Sequence, residues 1–433
     1  MNPLRAAAAA IDLAPPAGSW LTGFAFRISP SEGQHDSVMA RALLLDDGTA
    51  RLLIIACDLI GIDAHTVNDL RTHIAARTNI APAAILIACT HTHSAPATMR
   101  FRGVLGYVNE RWWKQAQQRI VDLACALPQQ LRPARMAFTS TDVQGISYNR
   151  QDRTRPHDTE LLTLAVDGID GAAIATLLNY AIHPVTLSHS NLQISGDVPA
   201  RACETVATMR GGVALYLQGA CGDVNPSSDL NNGWGTGTFE DVARVGDILA
   251  NAAIGSLANA QWKTEVPLAF ESEMLELPLE PAPSPAEMNA IFSAIDDELH
   301  AARAAGDAGR ESWQLGYMRW SGELKGAMMN NRVPTTHAIE IWRGRIGTLH
   351  IAAAPIEPYS DIGLEYKRTL RPHIGMFIGY ANGLLGYCAT DWAKDQGGYG
   401  PYESCRWFPE QLTPIGRGAA QLVTCYVTKI PGI

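Results

Sequence analysis

The sequence predicts an α/β chain of mixed, largely antiparallel β-sheets flanked by helices, with one helical insertion. Three observations predict it. Short apolar runs recur as pairs joined by Asp-Gly; stretches with apolar residues at helical spacing separate them; and one segment, 286–330, changes composition altogether. In order, Ala6 to Ala10 reads as a first strand, cut at Asp12 and followed by Pro15-Pro16. Ala42 to Leu45 and Arg51 to Ala56 flank Asp47-Gly48, a strong hairpin signal. Ile62 to Ala76 carries Val67, Leu70 and Ile74 at helical spacing, with Asp63 placed to cap it. The strand Ile85 to Cys89 ends in Thr90-His91-Thr92-His93-Ser94, and helical sequence resumes over Glu110 to Ala126. A second hairpin, Leu161 to Val166 and Ala173 to Ala181 around Asp167-Gly168, ends in Ile182-His183-Pro184. Val213 to Leu217 is a buried strand running into Gln218 to Pro226, and Phe239 to Leu257 reads as a helix. Past the proline-rich Pro281 to Pro285, residues 286–330 are rich in Ala, Glu and Arg, and read as two helices broken near Gly306 and Gly309. Strands return at His337 to Trp342, with a turn expected at Arg343-Gly344, and continue through Ile346 to Ala354. The Gly- and Tyr-rich stretch from Gly379 to Gly400 reads as loop.

Composition narrows the function. The chain has 433 residues, 47% hydrophobic and 18% charged, which are globular proportions. At about 150 residues per domain the length allows two or three domains or one large α/β unit with insertions; no low-complexity linker is seen, and a single domain over 1–433 is expected. Net charge is 34 − 43 = −9, without a Lys/Arg cluster, so nucleic acid is not expected as a partner. No run approaches the 18 or so apolar residues of a membrane span, and the N-terminal alanine run is too short for a signal peptide. The eight cysteines include no CxxC pair and read as reduced core residues, so a cytoplasmic chain is expected. A small-molecule substrate is the expected partner, and a homo-oligomer is compatible with the composition.

Chemistry gathers where strands end. His91 and His93 are two apart, so an extended backbone projects both from one face. His183 ends another strand, where Pro184 stops continuation. Three such histidines can supply the neutral imidazoles that Zn²⁺ prefers, with a carboxylate as a further ligand. The separation 183 − 91 = 92 excludes a local zinc finger and favours a catalytic site assembled from separate strands. Glu357, just past a buried strand, is the carboxylate candidate. Residue types alone leave the alternatives open: satisfied core histidines, and an exposed loop acid at 357.

Seven motifs in order add a resemblance. Thr90-His91-Thr92-His93-Ser94-Ala95-Pro96 resembles the His-Thr-His-Ser-Gly-Pro signature of neutral ceramidases and their relatives, and Ala181-Ile182-His183-Pro184 resembles their second His-Pro motif. Gly145 to Arg150 (their Asn-Arg-Ser) lies between these two, and Ser195-Gly196-Asp197, Gly222-Asp223-Val224-Asn225-Pro226 (their Gly-Asp-Val-Ser-Pro), Ala354 to Glu357 (their Val-Pro-Gly-Glu) and Tyr380 to Tyr387 follow. The resemblance implies a zinc-dependent hydrolase cleaving a C–N amide bond with metal-activated water. It places the metal on His91, His183, Glu357 and Tyr387, with His93, Arg150 and Tyr399 as catalytic partners. Asp58 and Asp197 are candidates to orient a ligand histidine. The sequence departs from the family at Asn225, where the family has serine; an amide cannot be a nucleophile but can hold a substrate group. With Ile433 its last residue, the family's C-terminal β domain is not expected, nor is a secretion signal, and the expected substrate is soluble or amphipathic rather than ceramide itself. The rival readings are an ester or lactone hydrolase using the same metal, and a metal-binding relative without turnover.

Overall fold

The computed structural model of the chain describes residues 3–228, 230 and 236–429. The larger sheet contains β1 (Arg5–Asp12), β2 (Met39–Asp46), β3 (Arg51–Cys57), β4 (Ile85–Cys89), β5 (Arg132–Asp142), β6 (Glu160–Gly168), β7 (Ala173–Tyr180) and β8 (Val213–Gln218). Their spatial order is β8-β7-β6-β5-β1-β2-β3-β4. Neighbours pair antiparallel except at the two edges, where β8 runs parallel to β7 and β4 to β3. The smaller sheet is β9 (Leu268–Pro278), β10 (Thr336–Ile346), β11 (Leu349–Ala353) and β12 (Ile374–Ile378), parallel only between β11 and β12. Among the described residues the α-helices are α1 (Ala64–Thr78), α2 (Glu110–Ala126), α3 (Asp197–Arg210), α4 (Phe239–Ser256), α5 (Pro285–Ala305), α6 (Ala308–Met329), α7 (Ser360–Leu370), α8 (Asp391–Gln396) and α9 (Ala419–Val427).

The period of two along the strands explains the layers. Leu43, Leu45, Leu52 and Ile54 face the smaller sheet and bury against its Trp342, Leu349, Ile351 and Met376. The alternate residues Leu44, Leu53 and Ile55 face away and bury against Val67, Leu70 and Ile74 of α1 and Ile120 of α2. Tyr180 and Tyr216 pack likewise under α3 and α4. On the far side Ile339, Ile341 and Phe377 meet α7 and α9. The result is four layers, helix–sheet–sheet–helix, as the mixed α/β expectation requires.

Local chemistry sets the element ends. Asp47 Oδ1 accepts the Thr49 and Ala50 amides at 2.8 and 2.7 Å, closing the β2–β3 hairpin. Asp63 Oδ1 accepts the Thr66 amide at 2.8 Å and caps α1. Ser284 and Glu287 form a capping box at the start of α5, and Gly306, left-handed at φ 65°, ends it. The break between α5 and α6 thus falls at Gly306-Asp307, while Gly309 lies inside α6. Two expectations fail. Within Gly379 to Gly400, read as loop, Thr390 caps the short helix α8, its side chain accepting the Ala393 amide. Arg343-Gly344 is not a turn; β10 runs straight through it to Ile346, and the chain reverses at Gly347, φ 62°. Tertiary contacts override the local signal. Arg343 is buried and paired with Glu271 and Glu273, each at 2.8 Å, and Gly344 leaves the space that the Trp342 ring fills.

The two sheets are stitched where their parallel strands end. The Gly379 amide donates to the Gln218 carbonyl at 3.0 Å, Cys89 to Tyr380 at 3.0 Å, and Asn382 to Ile87 at 2.7 Å. The carboxyl ends of β3, β4, β7, β8, β11 and β12 therefore converge. Such ends are where open α/β sheets place ligands.

Candidate metal centre

Each candidate ligand leaves the end of a parallel strand. His91 and His93 follow β4, His183 follows β7, and Glu357 follows β11. Glu357 is paired with Tyr387 through a short parallel bridge, so the two enter the site side by side. His91 adopts φ 69°, a left-handed conformation that costs a residue bearing Cβ roughly 1–2 kcal/mol. That turn aims its ring inward.

The three imidazoles are buried and mutually close; their ligand atoms all lie within 4.8 Å of one another. His91 Nδ1 lies 2.6 Å from the Ile60 carbonyl, and His183 Nδ1 lies 3.2 Å from the Cys221 carbonyl. A carbonyl only accepts, so both rings carry hydrogen on Nδ1 and turn the Nε2 lone pair into the site. There His183 Nε2 sits 3.1 Å from His93 Nε2. His91 Nε2 sits 3.1 Å from Glu357 Oε2, yet the two are not aligned for a hydrogen bond and both stay without one. Burial, then the neighbouring His91 ring and the charges of Arg27 and Arg150, hold His93 neutral, well below the usual imidazole range. His183 is held down likewise by burial and Arg150. Imidazoles and a carboxylate turned toward one point, with His91 Nε2 and Glu357 Oε2 left unpaired, are a cation's donor set.

Arg150 organises the next layer. Its Nη2 donates to the Gly222 carbonyl at 2.7 Å and the Tyr387 hydroxyl at 3.0 Å, and its Nη1 to Asn225 Oδ1 at 3.3 Å. Burial and Glu357 push the Tyr387 hydroxyl far up, and Arg150 opposes them. Asp223 is wholly occupied by Ser360 and Asn149, which ties the Gly222–Pro226 segment to α7.

The structure brings His91, His93, Arg150, His183, Asn225, Glu357, Tyr387 and Tyr399 together, but not Asp58 and Asp197. A recess of about 40 Å³ is walled by His91, His93, Glu357, Tyr387 and Tyr399. It shares walls with a cavity of about 540 Å³ that reaches Arg150 and Asn225. His183, fully buried, stands behind His93. Asp58 and Asp197 do not orient any histidine. Asp58 pairs with Arg41 at 2.6 Å, and Asp197 accepts the Val198 and Leu187 amides. The histidines turn to backbone carbonyls instead, because loops leaving strand ends have carbonyls to spare. Sequence reasoning also missed Arg27, whose buried guanidinium binds the carbonyls of Thr22, His93, Ser188 and Asn191 and so locks three site loops together. It missed the aromatic wall of Phe26, Trp313 and Trp407 as well.

Against known proteins, the family described as neutral/alkaline non-lysosomal ceramidase, N-terminal, matches residues 9–232. The chain belongs to this family. That span contains both histidine motifs and Asn225. A structure of neutral ceramidase from Pseudomonas aeruginosa is similar over 100% of this chain and 76% of that one, with a TM-score of 0.70 and 18% identity. A structure titled as a ceramidase complexed with C2 is similar over 98% and 74%, with a TM-score of 0.68 and 18% identity. At that identity the likeness speaks for the fold. Family membership indicates a hydrolase and suggests amide hydrolysis. Among the described residues no helix of this ceramidase-family chain is long and apolar enough to cross a membrane.

Proposed function

We propose that this chain is a zinc-dependent amidohydrolase that cleaves the C–N bond of a soluble or amphipathic small molecule. The observation that carries the reading is the unpartnered pair His91 Nε2 and Glu357 Oε2, buried 3.1 Å apart beside two more imidazoles held neutral. His91, His183 and Glu357 would hold the ion, with the Tyr387 hydroxyl as a fourth, weaker donor. Bound zinc supplies a Lewis acid and a water of lowered pKa. The protein's own groups do the rest. His93 lines the cavity as a neutral base, able to take a proton and return it to the leaving amine. Arg150 holds Tyr387 and Asn225 in place and sets a fixed positive charge where negative charge develops on the substrate oxygen. Tyr399, at the rim, offers a hydroxyl to the same oxygen. In this reading residues 1–433 act as one catalytic unit, and segment 286–330 supplies Trp313 to the cavity wall.

A second assignment takes His93 as a third histidine ligand, because its ring nitrogens lie within the same 4.8 Å cluster. Metal content of His93→Ala separates the two: retention keeps His93 as the proton carrier, and loss makes it a ligand. The function itself is tested with a panel of N-acyl, ester and lactam substrates, run on chelator-stripped protein before and after Zn²⁺. Amide turnover that returns with zinc is expected. Ester turnover alone would move the activity to the ester class. No turnover of any substrate would leave a metal-binding relative.

A further inference from the structure

The 540 Å³ cavity is lined by one carboxylate, Glu403, which neither the metal site nor the proposed reaction uses. Its Oε2 accepts the Tyr317 hydroxyl at 3.0 Å, and no ion pair to it exists among the described residues. Arg406, three residues on, does not turn to it; its guanidinium lies over the faces of Tyr317 and Trp320, at 4.5 and 4.9 Å. Around Glu403 the cavity is aromatic. Trp313 packs against Trp407 at 5.0 Å, against Phe26 at 5.1 Å and against Tyr399 at 6.0 Å between ring centres. Tyr317 sits behind, 5.4 Å from Trp313 and 5.2 Å from Trp407. The acid is thus held in one orientation by a hydroxyl that is itself wedged between two indoles.

An oriented carboxylate among aromatic faces is the composition that recognises an organic cation, through charge and through the ring quadrupoles together. We propose that Glu403, Trp313, Tyr399 and Trp407 form a subsite for an ammonium group, and that the amides accepted here carry a protonated or quaternary amine. The proposal rests on the reading of the neighbouring histidines as the hydrolytic centre. It also gives α6 a task, since this helix brings both Trp313 and the Tyr317 that fixes Glu403.

The test measures binding, which needs no turnover. Zinc-loaded protein at pH 7 is titrated with phenethyltrimethylammonium, 2-phenylethanol and 3-phenylpropionate, with tryptophan fluorescence and calorimetry as readouts. The quaternary probe cannot ligate a metal, so its affinity reports the subsite. It should bind about tenfold more tightly than the alcohol; the carboxylate, which zinc and Arg150 can hold, marks binding at the metal end instead. Glu403→Gln keeps an acceptor for Tyr317 and should erase the preference; Trp313→Leu should weaken the ammonium and the alcohol alike. Equal affinity for ammonium and alcohol in the wild type would overturn the proposal, as would a preference that survives Glu403→Gln. An ammonium preference in a protein inert on every amide would keep the subsite and overturn the hydrolytic reading instead.

Discussion

If the converging lone pairs are a metal site, removing the ion should cost folding stability that can be measured without any substrate. A ligand present at 100 times its Kd stabilises the folded state by about 2.7 kcal/mol. Unfolding entropy near 60 °C is about 2.1 cal/mol/K per residue, so 433 residues give about 0.9 kcal/mol/K. The ratio predicts a melting temperature about 3 °C higher with zinc at that excess than after chelation. The unpartnered His91 Nε2 and Glu357 Oε2 say where the energy comes from: without a cation, both are desolvated and unused. The assay is scanning calorimetry of stripped protein with graded Zn²⁺, beside metal analysis of protein purified without chelator. His91→Ala and His183→Ala should each abolish the shift and the bound metal. Melting that does not move with Zn²⁺, Mn²⁺ or Co²⁺, in protein that contains no metal, would refute the reasoning at its base.

Arg150→Lys keeps the charge but cannot reach three acceptors; two lost charge-assisted bonds at about 1.5 kcal/mol each predict a fall of about a hundredfold in kcat/KM. Metal content should stay unchanged, and joint loss of metal and activity would mean that Arg150 is structural. For metal-free protein, stability in urea should fall as pH drops below about 6.5, because the unfolded chain protonates His93 and His183 while the folded chain keeps them neutral; the limiting slope is about 2.7 kcal/mol per pH unit. Asp197, pushed up to about 6 by burial, works the other way below that pH, since the folded state then binds its proton first and the fall becomes shallower. A flat profile from pH 7.5 to 5.5 would refute both assignments. Asn225→Ser should retain measurable hydrolysis, and Asn225→Ala should cost no more than about 10²–10³ in turnover, the scale of one lost positioning donor; a wild type inert on every amide, awakened by Asn225→Ser, would overturn the enzyme reading.

The local signals that the sequence expresses well are those whose physics is local. Asp47-Gly48 closes a hairpin with its own side chain, and Asp63 caps α1 three residues away. Ser284 and Gly306 bound α5 in the same manner. Arg343-Gly344 looks equally local and is not. Glu271 and Glu273, about seventy residues earlier, hold it extended. The site divides along the same line. Strand-end histidines show in the sequence because strands end in recognisable punctuation, as at Pro184. The carbonyls of Ile60 and Cys221 that set the tautomers belong to the backbone and carry no residue code. The aromatic wall joins Phe26, Trp313, Tyr399 and Trp407 from three distant segments, so no window of sequence contains its pattern.

The position of Asn225 follows from the strand that carries it. Val224–Pro226 pairs antiparallel with Ser147–Asn149, which sets Asn225 opposite Tyr148 and brings Arg150 back over it. With Oδ1 accepting from Arg150, the amide oxygen is committed to a positioning task, and Arg150 in turn commits Nη2 to Tyr387 and Gly222. A serine in this place would offer a shorter hydroxyl, whose reach to the same guanidinium is less, and would leave Arg150 freer to turn toward a substrate. The exchange therefore trades a small adaptable group for a fixed one. A fixed Arg150 suits a substrate whose other end is also fixed, and Glu403 with its aromatic neighbours, lining the same cavity, supplies such an end. Two anchored charges of opposite sign in one cavity would make the spacing between the scissile carbonyl and the substrate's cation the quantity this site selects.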